Sequence, residues 1–352
     1  MRSPLLSATW LFSIVVTAQT APRFEVDPTW PKPLPEGWIT GQLGGVCTDS
    51  HDHIVVVNRR DITAEEAETA QQAPPIIMFD VAGNVIASWG DPNVVPNSIH
   101  GCVFDQDNNV WVGGNQDGII QKYNHAGKLL LQIGTRGVFD TSDGTSKGKL
   151  LNSSPKHFFN PAGIAVDPGN GDIYVADGYG NRRVAVFDQN GKFLRQWGRQ
   201  ATDDETRAGA GGVFARLVHC VVIGNDGLVY VCDRLGGRVQ VFDKSGNFKR
   251  NIIIESKTAR LTGIGSVCQI AFSPDREQKY MYVCNCGDEE IRVVDHVTGE
   301  TLAKFGRSGF EAGEFNGLHS LAVDSKGNIV TGEAGVVTGG GHRVQMFKLV
   351  EY

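Results

Sequence analysis

Short apolar, β-branched strand-like runs alternate with clusters of Asp, Asn, Gly, Ser and Pro along nearly the whole chain, and no segment of comparable length carries the 3.6-residue period of a helix. The alternation has a longer period. A pair of runs joined by a polar turn recurs as GGVCTDSHDHIVVVN (44–58), HGCVFDQDNNVWVGG (100–114), AGIAVDPGNGDIYVAD (162–177), HCVVIGNDGLVYVCD (219–233), CQIAFSPDREQKYMYVCN (268–285) and HSLAVDSKGNIVTGE (319–333). A third run follows each pair, as PIIMFD, IIQKYN, RVAVFD, RVQVFD, IRVVD and RVQMFK. A fourth follows five of them, as VIASWG, LLLQIG, FLRQWG, FKRNII and TLAKFG.

Six repeats of a four-stranded unit predict an all-β fold, a six-bladed β-propeller. The missing sixth outer strand is assigned to residues 24–26, paired with the C-terminal strand at 343–350. That clasp closes the ring and leaves no open sheet edge. A seven-bladed ring and a two-sheet sandwich fit the count less well. Residues 63–72, rich in Ala and Glu, are expected to make a short helical turn inside a loop.

The N-terminus adds a different element. Arg2 precedes an apolar stretch over 5–16, and Val16 and Ala18 are placed for cleavage after Ala18, so residues 1–18 read as a secretory signal peptide and 19–352 as the propeller. The stretch is shorter than the ~20 residues a spanning helix needs, and no later segment is long and apolar enough. A secreted or periplasmic location follows. The net charge of -6, without a Lys or Arg run, argues against nucleic acid as partner, and a monomer is expected. Seven cysteines, an odd number without a CxxC pair, leave at least one thiol unpaired. Most read as small buried strand residues, with Cys268 and Cys284 able to face each other across one hairpin.

Aligning the first runs places Gly44, His100, Ala162, His219, Cys268 and His319 in one register. Histidine falls on units two, four and six. Alternate blades of a six-fold ring are 120° apart, so three imidazoles can converge on the axis from three directions, the ligand set of a catalytic zinc site with one direction open. With nine histidines in 352 residues, coincidence over the ~20 positions of a repeat is roughly a one-in-a-thousand event. Zinc is favoured, and other divalent transition metals suit imidazole too. His51, His53, His125, His296 and His342 read as ordinary surface or core residues.

Chain direction puts the residues that follow each second run on the same rim as these histidines. They are Arg59 and Arg60 in NRRD, Tyr179 in ADGYGNRR and Arg234 in CDRLGGR. The long connections 60–75, 135–160, 199–216 and 335–342 fall on this face and can wall a pocket. A tyrosine beside a metal-activated oxygen can move its proton, and an arginine fork matches a carboxylate. The combination predicts a small-molecule or peptide substrate with a carboxylate near a metal-bound oxygen.

The pattern (V/I)YV(A/C)D…RVxVFDxxGxF resembles the NHL-repeat version of the propeller. VNRRD, IHG, KHFFNPAGIAVDP, ADGYGNRRV, LVH, VCDRLGGRVQVF and LHS further resemble the peptidyl-α-hydroxyglycine α-amidating lyase family over nearly all of the mature chain. The resemblance implies a zinc-dependent cleavage of the carbinolamide C–N bond of a peptidyl-α-hydroxyglycine to a peptide amide and glyoxylate. It implies zinc on His100, His219 and His319, Tyr179 as general base, Arg59 stabilising developing charge and Arg234 holding the substrate. Two departures stand out. Ser320 follows His319 where the family has an aspartate that helps bind structural calcium, so Ca2+ is doubtful here. Phe159, Gly180, Tyr230 and Val241 occupy the places of cysteines that form the animal enzymes' disulfides. No fused hydroxylase domain is expected from the 352 residues, which leaves the source of a hydroxylated substrate open. The alternatives are a non-catalytic propeller that binds a protein or ligand through its rim, and another metal-dependent hydrolase or lyase reaction in the same pocket.

Overall fold

A computed structural model of the chain describes residues 21–35, 37–255, 257, 263–335 and 342–351. The assigned signal peptide and most of the 335–342 connection lie outside them. Six antiparallel four-stranded sheets form the ring, with inner strands Leu43–Thr48, Ile99–Phe104, Pro161–Val166, Val218–Ile223, Val267–Phe272 and Leu318–Val323 in blades 1 to 6. Arg23–Val26 pairs with Val344–Glu351 and completes blade 6 from the N-terminal side, so the expected clasp is present.

Burial explains the sequence pattern. The second strands, such as Ile54–Asn58 and Ile173–Asp177, are buried along their whole length, because both faces of each sheet are covered by neighbouring blades. The outer strands alternate, as in Val85–Trp89, because one face meets solvent. The core is divided into six slabs, one between each pair of neighbouring blades. Tyr174, Val186, Val229 and Val231 fill the slab between blades 3 and 4, and Leu43, Val56, Val330 and Met346 fill the closing slab between blades 6 and 1.

The Asp-to-Arg spacing of the repeat has a structural cause. The last residue of a second strand takes the arginine that opens or adjoins the third strand, as in Asp177–Arg183 at 2.9 Å, Asp233–Arg238 at 2.8 Å and Glu333–Arg343 at 2.6 Å. The same carboxylates accept the backbone N–H of Phe159, Ala215 and Asn316, which lead into the inner strands. These buried pairs tie each loop of the histidine-bearing rim to its blade. In blade 1 the neutral Asn58 does this work, accepting from the N–H of Gly41 and donating to Ala73 O.

Two details differ from expectation. The 63–72 segment contains the expected turn, a 3-10 helix at Glu66–Glu68, but a second helix, Asp203–Arg207, lies in the 199–216 connection. Its cause is a capping box in which Thr202 and Glu205 satisfy each other's backbone N–H groups. Six of the seven cysteines form disulfides, Cys47–Cys102, Cys220–Cys232 and Cys268–Cys286, and Cys284 alone is free and buried. Cys268 therefore pairs with Cys286, not with Cys284. The register shift between Val267 and Gln269 sets Gln269 opposite Cys284 and takes Cys268 out of the ladder toward the strand end.

Candidate metal centre and rim

All six inner strands break register near their start. The break crosses Gly44, Ala162, Cys268 and His319 in blades 1, 3, 5 and 6 and His219 with Cys220 in blade 4, while in blade 2 it crosses Gly101, immediately after His100, which still pairs with Gly113. Such a bulge releases a residue from the ladder and re-aims its side chain. Close approach of the inner strands requires small residues beside it. Gly101 has φ +66°, and a Cβ there would sit 2.6 Å from Ala162 O.

The bulges bring His100, His219 and His319 together at the axis, with ring centroids 4.7 to 5.0 Å apart and each ring near-perpendicular to the others. One ligand nitrogen from each lies within 4.8 Å of those of the others, and all three side chains are buried. His100 Nδ1 donates to Ala162 O at 3.2 Å and His219 Nδ1 to Cys268 O at 2.5 Å, in each case the register position of the next blade. A carbonyl only accepts, so both rings carry their proton on Nδ1 and keep a lone pair on Nε2. Burial, then the neighbouring imidazole or arginine charges, holds all three histidines well below the ordinary range, so they are neutral at pH 7.

Tyr179 closes the cluster. Its Oη lies 3.2 Å from His100 Nε2 and 3.0 Å from His219 Nε2, and Arg234 Nη1 donates to it at 3.4 Å. Arg59 joins less directly. Its charge acts on the three histidines and on Tyr179, while Nη1 donates to Gln42 Oε1 at 3.0 Å and its buried Nε has no partner among the described residues. Burial lowers the Arg59 pKa, and the nearby Tyr179 and Asp61 oppose that shift. Arg60 turns away and donates through Nε to Ala73 O.

The residues fit a metal ion. His319 is buried with both ring nitrogens unpartnered among the described residues, an arrangement that costs free energy unless something accepts the lone pair. Three neutral imidazoles with two Nε2 lone pairs already oriented suit zinc and its neighbours. No single metal is selected by this donor set.

Sequence reasoning missed the supports. Gln42 holds Arg59 and is itself held by Asp61, whose carboxylate accepts Gln42 Nε2 at 2.6 Å. The Cys268–Cys286 disulfide secures the strand whose carbonyl orients His219. Gln42 has no counterpart pattern in the repeat, and a backbone acceptor leaves no residue-type signal. The connections 60–75, 135–160 and 199–216 are anchored at this rim through Ala73, Phe159 and Ala215. Among the described residues no helix is long and apolar enough to cross a membrane.

Comparison with known proteins agrees with this architecture. The NHL repeat family matches residues 158–187, which hold the first three strands of blade 3 and Tyr179. Peptidyl-glycine α-amidating monooxygenase A of Xenopus laevis is 27% identical over 253 residues, 65% of this chain and 24% of that protein. NHL repeat-containing protein 3 of Mus musculus is 30% identical over 248 residues, 68% of this chain and 62% of that protein. Peptidyl-α-hydroxyglycine α-amidating lyase 1 of Drosophila melanogaster is 29% identical over 240 residues, 65% of this chain and 41% of that protein. The match thus spans about a quarter of the length of the Xenopus relative. In fold, a streptogramin B lyase structure aligns with TM-score 0.57 at 13% identity, covering 93% of this chain and 98% of that one. The chain is a six-bladed β-propeller that carries an NHL repeat at 158–187 and has peptidyl-α-hydroxyglycine α-amidating lyases among its relatives.

Proposed function

We propose that this protein is an exported, metal-dependent carbon–nitrogen lyase that cleaves the carbinolamide of a peptidyl-α-hydroxyglycine-like substrate to an amide and glyoxylate. The observation that carries the reading is the convergence of His100, His219 and His319 with the Tyr179 hydroxyl between two of them. The named lyases among the relatives support the same reaction class. Three disulfides support an oxidising compartment, and with it the assigned export signal.

The three histidines would hold the metal, zinc by preference, which supplies Lewis acidity that lowers the pKa of a hydroxyl in its coordination sphere. The remaining work falls to the chain's own residues. Tyr179, acting as the phenolate once its own proton has left, is placed to receive the substrate hydroxyl proton and return it to the departing amide nitrogen, ending as the phenolate it began. The hydroxyl carbon then becomes the aldehyde carbon of glyoxylate as its C–N bond breaks, so atoms and protons balance without a co-reactant. Arg234 Nη1 donates to the Tyr179 oxygen and so holds it in place beside the histidines. Arg59, held by Gln42 and with Nε unspent, is suited to the substrate carboxylate.

The test is metal content and glyoxylate release measured together on the mature protein and on His219→Ala. About one axial metal ion per chain and release of glyoxylate from a peptidyl-α-hydroxyglycine, both lost in the variant with the thermal melt preserved, is the expected result. Absence of metal after zinc is supplied would overturn the enzyme reading and leave a rim-binding propeller. Metal without glyoxylate release would redirect the reading to another reaction at this centre.

A further inference from the structure

On the face of the ring opposite the axial histidines, three imidazoles meet at one carboxylate. Asp49 ends the inner strand of blade 1, and its side chain is fully buried. Its Oδ1 accepts the backbone N–H groups of His51 and His53, both at 2.8 Å. Its Oδ2 faces three imidazoles, with His53 Nδ1 at 2.9 Å, His125 Nε2 at 2.9 Å and His51 Nδ1 at 3.8 Å. The ligand atoms of Asp49, His51 and His53 lie within 4.8 Å of one another, and His125 arrives from the turn after the third strand of blade 2.

The ring provides its own control. An aspartate occupies the corresponding turn in blades 2, 3 and 6. Asp105 is neutralised by Lys122 at 2.7 Å, Asp167 by Lys244 at 2.6 Å, and Asp324 accepts from Asn328 Nδ2 at 2.7 Å. Lys244 reaches Asp167 from the turn after the third strand of the next blade, the same relation that His125 has to Asp49. One lysine or one amide is therefore enough to satisfy a turn aspartate. Blade 1 has three imidazoles instead, two of which give an N–H to Asp49 Oδ2 and would exchange that proton for a metal ion, around an oxygen that is already desolvated. His–x–His spacing across a turn plus a carboxylate is a nitrogen-rich ligand set with the chemistry of zinc-class ions.

We propose that Asp49, His51, His53 and His125 form a second binding site, for a divalent transition metal ion, independent of the axial centre. A metal there fastens the turn of blade 1 to that of blade 2 at the far mouth of the central channel, where Asp49 lines a cavity of about 530 Å³. Calcium, which prefers an all-oxygen shell, is excluded by the donor set.

Equilibrium dialysis against Zn2+, followed by elemental analysis, tests this on the full mature chain. The wild type is expected to bind two ions per chain. Asp49→Asn preserves the Oδ1 acceptor of the turn but removes the ligating oxygen, and His51→Ala alters an exposed side chain, so both variants can keep the fold. Each is expected to lose one ion, or to bind it at least tenfold more weakly, while glyoxylate release is retained. His219→Ala is expected to lose the other. If the axial centre holds no metal, wild type binds one ion and Asp49→Asn none, so the two readings fail separately. Zinc stoichiometry and affinity unchanged in both Asp49→Asn and His51→Ala would overturn the second site and leave a hydrogen-bonded histidine cluster.

Discussion

Tyr179 Oη and His219 Nε2 lie 3.0 Å apart although 40 residues separate them in sequence. Because His219 Nδ1 is committed to Cys268 O, Nε2 can only accept, and the tyrosine hydroxyl must donate to it or to His100. A hydroxyl that shares its proton with the nitrogens proposed to bind metal is released from that role once the metal takes them. It is then free to face substrate.

Tyr179→Phe should separate binding from proton transfer. The ring is retained and only the hydroxyl is lost, so metal content should stay at the wild-type level while glyoxylate release falls about 10²- to 10⁴-fold, the usual worth of a positioned general base. A loss below tenfold, measured at saturating substrate, would remove Tyr179 from the proton path.

Arg59 is proposed to bind the substrate carboxylate, and the conservative change is the informative one. Arg59→Lys keeps the charge but loses the planar fork and the bond to Gln42 Oε1. The expected result is a drop in kcat/KM of roughly tenfold or more, from an ion-paired hydrogen-bond energy of about 1.5–3 kcal/mol. An analogue with the carboxylate replaced by a carboxamide should show little difference between the two proteins. Equal losses on both substrates would place Arg59 elsewhere in the reaction.

Thiol titration checks the disulfide assignment. Cys284 is the one free cysteine, and burial pushes its thiol pKa up, with Glu289 adding to the effect. The native protein should therefore show no reactive thiol, and denaturation without reductant should expose one per chain. Three thiols on denaturation would mean that one of the three bridges is absent.

The clasp should weaken in acid. The Lys348 ammonium and the Thr29 hydroxyl and N–H hold the Asp27 carboxyl at about 2, below its ordinary 3.8. A lowered folded-state pKa stabilises the fold fully above 3.8, and that contribution is lost as pH falls through about 2. Since Lys348 is largely solvent-exposed, the contribution is at most about 1 kcal/mol. Asp27→Asn should lower the thermal midpoint by about 2 °C at pH 6, with the gap closing toward pH 2. A constant gap across that range would assign the effect to packing instead.

Much of this protein is readable along the chain because a propeller repeats itself. Each blade must bury both faces of its middle strands, so the apolar runs recur with the same spacing, and the Asp177–Arg183 type of pair marks strand ends in the sequence itself. Register then follows, and with it the alternation of His100, His219 and His319 on every second blade. What the chain order alone could not decide depends on side-chain direction and on contacts between blades. The bulges that turn the three imidazoles inward, the placement of Cys268 opposite Cys286 rather than Cys284, and the grip of Gln42 on Arg59 arise only when strands pair. The meeting of His51, His53 and His125 at Asp49 likewise joins turns of two blades that are distant in sequence. Periodicity records which face a residue occupies, whereas the atom it finally touches is set by the packing of neighbouring blades.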